Sequence, residues 1–102
     1  MVTELNSSNF KEFISSNDTV LIDFYADWCA PCMMMGPIVE AYAENHSGIK
    51  VAKVNIDDEP ALAAENKVVS IPNLLIFKGG EFAKRSIGAL SKAELEAFVE
   101  SV

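Results

Sequence analysis

The sequence holds two cysteines, Cys29 and Cys32, separated by Ala30 and Pro31. A cysteine thiolate attacks disulfides, and a second thiol close by can complete the exchange. Other uses of the pair are poorly supplied. A secreted scaffold stapled by disulfides carries more cysteines at longer spacing. A closed zinc site needs four ligands, and beyond the pair the chain offers a lone His46. That leaves redox chemistry or a chance pairing.

The elements around the pair favour chemistry. Val20-Leu21-Ile22-Asp23-Phe24-Tyr25 is almost continuously apolar, as expected of a central strand covered on both faces. Past the Trp28–Cys32 segment, the residues up to about Asn45 read as a helix, with Met34, Ile38 and Tyr42 on one stripe and a kink at Pro37. Cys29 then stands at the helix start, where unpaired backbone N–H groups and the helix dipole favour an anion. Cys32 follows one turn later, so the two sulfurs can meet. Pro31 suits a first helical turn. A ring this small removes little chain entropy, so a disulfide there stabilises the fold little and can be made and broken.

The rest of the chain supplies a scaffold. Val2–Leu5 reads as a short edge strand and Phe10–Ile14 as a short helix with Phe10, Phe13 and Ile14 on one face. Ile49–Ile56 is a second strong strand, Glu59–Asn66 a helix and Leu74–Phe77 a further apolar strand. Gly79-Gly80 marks a hairpin whose partner strand is Phe82–Ile87. Ser91-Lys92-Ala93-Glu94 is a capping box opening a last helix that turns Leu95, Phe98 and Val99 inward. The order predicts an α/β fold: a central mixed sheet of about five strands flanked by about four helices, in a single domain over residues 1–102.

Composition narrows the partners. Half of the residues are hydrophobic and 23% are charged, a globular balance. Fifteen acidic against eight basic residues give a net charge of −7. Nucleic acid and anionic membrane both reward clustered Lys and Arg and are not expected as partners. No apolar run reaches membrane-spanning length, and no basic segment followed by an apolar one opens the chain. The expectation is a cytoplasmic monomer with no bound metal or cofactor.

The stretch Val20–Cys32, with Asp23, Tyr25-Ala26-Asp27-Trp28 and the paired cysteines, resembles the thioredoxin family. The likeness continues through Met34 and Pro37, Val51–Asp57, Ser70-Ile71-Pro72 and Phe77–Gly80, and ends at Ile87–Ser91, covering essentially the whole chain. The resemblance implies a thioredoxin fold and a protein-disulfide reductase working by dithiol–disulfide exchange. Cys29 would be the nucleophile and Cys32 the resolving thiol, the two cycling through a Cys29–Cys32 disulfide. Asp23 would accept the Cys32 proton through water. Burial of a carboxylate on that strand is costly, so its pKa should be raised, and Lys53 on a neighbouring strand is the candidate partner. The simpler alternative is an Asp turned into a solvent channel.

By the same resemblance the Ile71–Pro72 bond is cis and the segment docks an extended substrate. Trp28, Ala30, Pro31, Ile71, Gly88 and Ala89 would form a flat apolar patch for disulfide-containing substrate proteins. Re-reduction would need a separate thioredoxin reductase-type enzyme, since no nucleotide-binding glycine pattern is present.

Three departures from the family pattern stand out. Ala30 replaces the commonest Gly and restricts the loop. Met33 replaces a usual basic residue, weakening thiolate stabilisation and making the patch more apolar. Asn73 replaces a usual Thr, with consequences expected for substrate hydrogen bonding. Two other functions compete with reductase: an oxidase or isomerase of the same fold, distinguished by its potential, and a redox-inert clamp acting through the Trp28 patch. His46 reads as a surface residue.

Overall fold

A computed structural model describes all residues, Met1–Val102. The order is β1 (Val2–Glu4), α1 (Phe10–Ser15), β2 (Thr19–Tyr25), α2 (Ala30–Asn45), β3 (Lys50–Asn55), α3 (Pro60–Glu65), β4 (Asn73–Lys78), β5 (Glu81–Ile87) and α4 (Lys92–Glu100). The strands form one sheet in the order β1-β3-β2-β4-β5. β3 pairs in parallel with both β1 and β2, whereas β4 runs antiparallel to β2 and β5. This is the five-stranded mixed sheet with four helices that the sequence leads one to expect.

Alternation along β2 explains its unbroken apolar run. Val20, Ile22 and Phe24 point to one face, where they pack with Phe10 and Ile14 of α1 and Leu62 of α3. Leu21 points to the other, joining Val51, Leu74 and Ile76 beneath Met35, Val39 and Tyr42 of α2 and Leu95, Phe98 and Val99 of α4. Asp23 shares the parity of Leu21, so the one carboxylate of the strand interior is turned towards the helix that carries the cysteines.

Two local signals are realised as written in the sequence. Gly79 and Gly80 take φ of +60° and +84° in the two-residue β4–β5 turn, a conformation that L side chains resist. Ser91 Oγ accepts from the Glu94 N–H, and the Glu94 carboxylate accepts from the Ser91 N–H, closing the capping box.

The α2 stripe differs from expectation. Met34 is 70% exposed, and the buried face carries Cys32, Met35, Val39 and Tyr42. Steps of four residues overshoot a 3.6-residue turn by about 40° each, so a strict four-residue series leaves the core; the buried set alternates threes and fours. The helix runs unbroken through Pro37.

Candidate active site

The β2–α2 junction places the cysteines. β2 ends at Tyr25, and the chain turns so that the Cys29 N–H donates to the Ala26 carbonyl at 3.2 Å. Cys29 is the N-cap of α2, with extended backbone (φ −93°, ψ 106°), and Pro31 lies in the first turn. The Cys32 N–H donates to Cys29 Sγ at 3.3 Å, so the first sulfur occupies the place of a capping oxygen. Cys29 and Cys32 are joined in a disulfide, their Cα atoms 5.2 Å apart.

The two sulfurs face different surroundings. Cys29 lines an open, mostly apolar groove of about 460 Å³ with Trp28, Ala30, Pro31, Ile56 and the segment Val68–Ile71. Cys32 lines a smaller cleft of about 230 Å³ with Asp23, Tyr25, Asp27, Met33, Gly36 and Lys53. Cys29 therefore borders the open groove, and Cys32 shares its cleft with the buried Asp23.

Trp28 is 69% exposed, and its indole N–H donates to Asp57 Oδ2 at 2.8 Å, which fixes an apolar ring at the groove edge. Ile71 lines the groove beside it, and the Ile71–Pro72 bond is cis. Gly88, at φ +102°, donates its N–H to the Pro72 carbonyl at 2.8 Å. Gly88 is half-buried against the proline segment and Ala89 is exposed; neither lines the groove itself.

Asp23 is 4% exposed, and its Oδ1 has no hydrogen-bond partner. Burial pushes its pKa up to about 7, with the Lys53 charge pulling down and Glu4 pushing up. Lys53 is its register partner on β3, but the Lys53 ammonium pairs with Glu4 of β1 at 3.8 Å and lies 5.4 Å from the Tyr25 ring centroid. Tyr25 Oη donates to the Glu4 carboxylate at 3.0 and 3.1 Å, and burial followed by that carboxylate pushes the phenol up to about 12.

Asn73 is fully buried and serves the fold. Its Oδ1 accepts from Arg85 Nη1 at 3.0 Å and its Nδ2 donates to the Ser70 carbonyl at 3.1 Å. The side chain is committed internally and not offered to a substrate, contrary to expectation.

Sequence reasoning missed Ile56, Val68, Val69 and Ser70 in the groove, Asp57 behind Trp28, and Glu4 beside Lys53. The apolar pair Val68-Val69 in a loop was the one available signal; Val68 packs in part against the core, and Val69 is left exposed. Asp57 and Glu4 carry no local signal, since each is one acidic residue among many.

A cysteine pair at a helix N-cap, oxidised to a disulfide and flanked by an apolar groove, defines a thiol–disulfide oxidoreductase. Comparison with known proteins agrees. The thioredoxin family model matches residues 1–101. The thioredoxin of Porphyra purpurea is 48% identical over 98 residues, covering 94% of this chain and 92% of that protein. A bifunctional thioredoxin reductase/thioredoxin of Mycobacterium leprae is 45% identical over 91 residues, covering 88% of this chain and 20% of that one. Among solved structures, a mutant thioredoxin from Halobacterium salinarum superposes with a TM-score of 0.91 at 37% identity, covering 97% of this chain and 88% of that one. The chain belongs to the thioredoxin family. It carries the redox-active pair of that family and works by dithiol–disulfide exchange.

Proposed function

We propose that the protein is a protein-disulfide reductase in which Cys29 is the nucleophile, Cys32 the resolving thiol and Asp23 the proton acceptor. The carrying observation is the division of the two sulfurs between the apolar groove and the Asp23 cleft. In the reduced protein the Cys29 thiolate, favoured by the helix N-terminus, attacks a substrate disulfide. A Cys29–substrate bond forms and the first substrate thiolate leaves. Asp23, poised near neutrality, takes the Cys32 proton, directly or through water. Cys32 then attacks Cys29 Sγ, the mixed disulfide breaks, and the second substrate thiolate leaves. Two electrons pass to the substrate, and the protein is left with its Cys29–Cys32 disulfide. Lys53 modulates Asp23 by its charge.

The groove takes an extended apolar segment of the substrate protein across Trp28, Ala30, Pro31 and Ile71, with the backbone at Ile71-Pro72 and the Gly88-Ala89 loop at its margin. Electrons return from a separate reductase-type partner. Support comes from the Mycobacterium leprae relative, whose name joins reductase and thioredoxin in one protein. No helix is long and apolar enough to cross a membrane. A dithiol that must be kept reduced suits a monomer working in the cytoplasm.

Insulin-disulfide reduction driven by dithiothreitol tests the assignment. The parent protein accelerates the reaction over dithiothreitol alone. Cys32→Ser accumulates a mixed disulfide through Cys29, and Cys29→Ser accumulates none. Trapping by Cys29→Ser instead would reverse the roles.

A further inference from the structure

Three strands bring three charged residues into one row. Glu4 on β1 is the register partner of Lys53 on β3, and Lys53 is the register partner of Asp23 on β2. In-register side chains of parallel strands point to the same face, so the row is acid, base, acid, running from the sheet edge to its buried centre. The central lysine has a choice of two carboxylates. Its ammonium is within ion-pair distance of Glu4, at 3.8 Å, while Asp23 Oδ1 stays unpartnered.

The choice is fixed by Tyr25. Its hydroxyl donates to both Glu4 oxygens, and its ring lies beneath the Lys53 ammonium at 5.4 Å. Glu4 is thereby held from one side by a phenol and from the other by a cation. We propose that Glu4 is a positioning residue for the site: tethered by Tyr25, its carboxylate holds the Lys53 ammonium at the rim of the cleft and away from the Asp23 carboxyl.

Two effects of Glu4 on Asp23 act in the same direction. The negative charge opposes a second negative charge nearby, and the diverted lysine no longer neutralises it. The groups around Asp23 are few. Lys53 faces it from β3, Glu4 from β1, Tyr25 and Asp27 from β2 and the turn after it, and Cys32 from α2; its β4 neighbour, Leu74, is apolar. Glu4 is the member of this set that touches none of the reacting atoms and still sets where the one cation sits. Its part in turnover rests on the reading of Asp23 as proton acceptor.

The test follows the Asp23 carboxyl carbon by NMR as pH is varied in the oxidised full chain. Glu4→Gln is expected to move the Asp23 midpoint down. Tyr25→Phe, which keeps the ring and loses the tether, is expected to move it the same way by less. In a Lys53→Met background the Glu4→Gln effect should shrink, because no cation remains to be redirected. An unmoved or raised Asp23 midpoint in Glu4→Gln overturns the proposal, as does an effect that stays at full size without Lys53. Glu4→Asp, too short to reach both partners, gives the same readout with the charge kept. The pH profile of mixed-disulfide release separates the two claims: if it stays fixed while the Asp23 midpoint falls, Glu4 keeps its assigned role and the proton-acceptor role of Asp23 fails.

Discussion

Asp23 and Lys53 stand directly across from one another on β2 and β3, yet the Lys53 ammonium pairs with Glu4 and leaves Asp23 Oδ1 without a partner. A buried acid with its nearest cation turned aside is costly as an anion and comfortable as a neutral carboxylic acid. The arrangement costs stability and leaves a titratable carboxyl in the cleft that Cys32 also lines.

That cost should show in the pH dependence of folding. The Asp23 pKa is raised from the ordinary 3.8 to about 7 in the folded protein. Between those values the native state holds a proton that the unfolded chain has released, so stability falls as pH rises through the window and levels off above it. The full effect is about 4 kcal/mol. Asp23→Asn should be more stable than the parent above pH 8, by up to about that amount, with the gain shrinking towards pH 4. Denaturant unfolding at several pH values measures it. A difference between the two proteins that ignores pH would contradict the assignment of burial as the cause.

In the reduced protein the two thiols should differ in reactivity. Cys29 caps α2 and borders the groove, with the Cys32 N–H directed at its sulfur, whereas Cys32 is covered by the helix and the sheet. Iodoacetamide near pH 7 should label Cys29 on the order of tenfold faster than Cys32 or more. Mass spectrometry of partially alkylated protein gives the ratio. Equal labelling would remove the argument that the helix N-terminus selects the nucleophile.

Much of this fold is written in local pattern. The β2 run, the Gly79-Gly80 turn and the Ser91–Glu94 capping box each declare their element within a few residues, and the cysteine pair narrows its chemistry only together with the strand-to-helix junction and the motifs around it. What is not local is less legible. The groove takes Trp28 from the β2–α2 turn, Ile56 from the end of β3 and Val68–Ile71 from the loop before β4, segments joined only by the sheet order. The Glu4–Lys53–Asp23 row needs the β1–β3–β2 register, which no periodicity encodes. Asn73 misled for a related reason: its partner Arg85 is twelve residues away on β5. Met34 misled because an exposed apolar residue beside an active site looks, in sequence, like core.

Lys67 offers a stability gain outside the site. It follows α3 with φ of +59°, while the Lys67 and Val68 N–H groups donate back to the Ala64 and Ala63 carbonyls at 3.0 and 2.9 Å. This is the left-handed position after a helix where glycine is preferred. Lys67→Gly should stabilise the protein by about 0.5–1 kcal/mol, and Lys67→Ala, which keeps a Cβ, should not. Paired thermal and denaturant melts decide it, and equal effects of the two substitutions would place the cause elsewhere.

Met35 links the cysteine helix to the loop beside Pro72. Its thioether, fully buried in the α2–α4 core, accepts the Leu90 N–H at 3.0 Å. Leu90 follows Gly88, which is itself bonded to the Pro72 carbonyl, so one sulfur steadies a loop at the margin of the groove. Met35→Leu conserves volume and keeps the packing but removes the acceptor. The expected cost is about 1–2 kcal/mol, from an amide left without its partner and not from a cavity. Hydrogen exchange locates the effect: the Leu90 amide should exchange faster in Met35→Leu, by more than the global loss of stability accounts for. The other core amides of α2 and β2 should follow the global change alone. If Leu90 exchanges no faster than they do, the sulfur is filler, and the Gly88–Leu90 loop is held by its own backbone bond to Pro72.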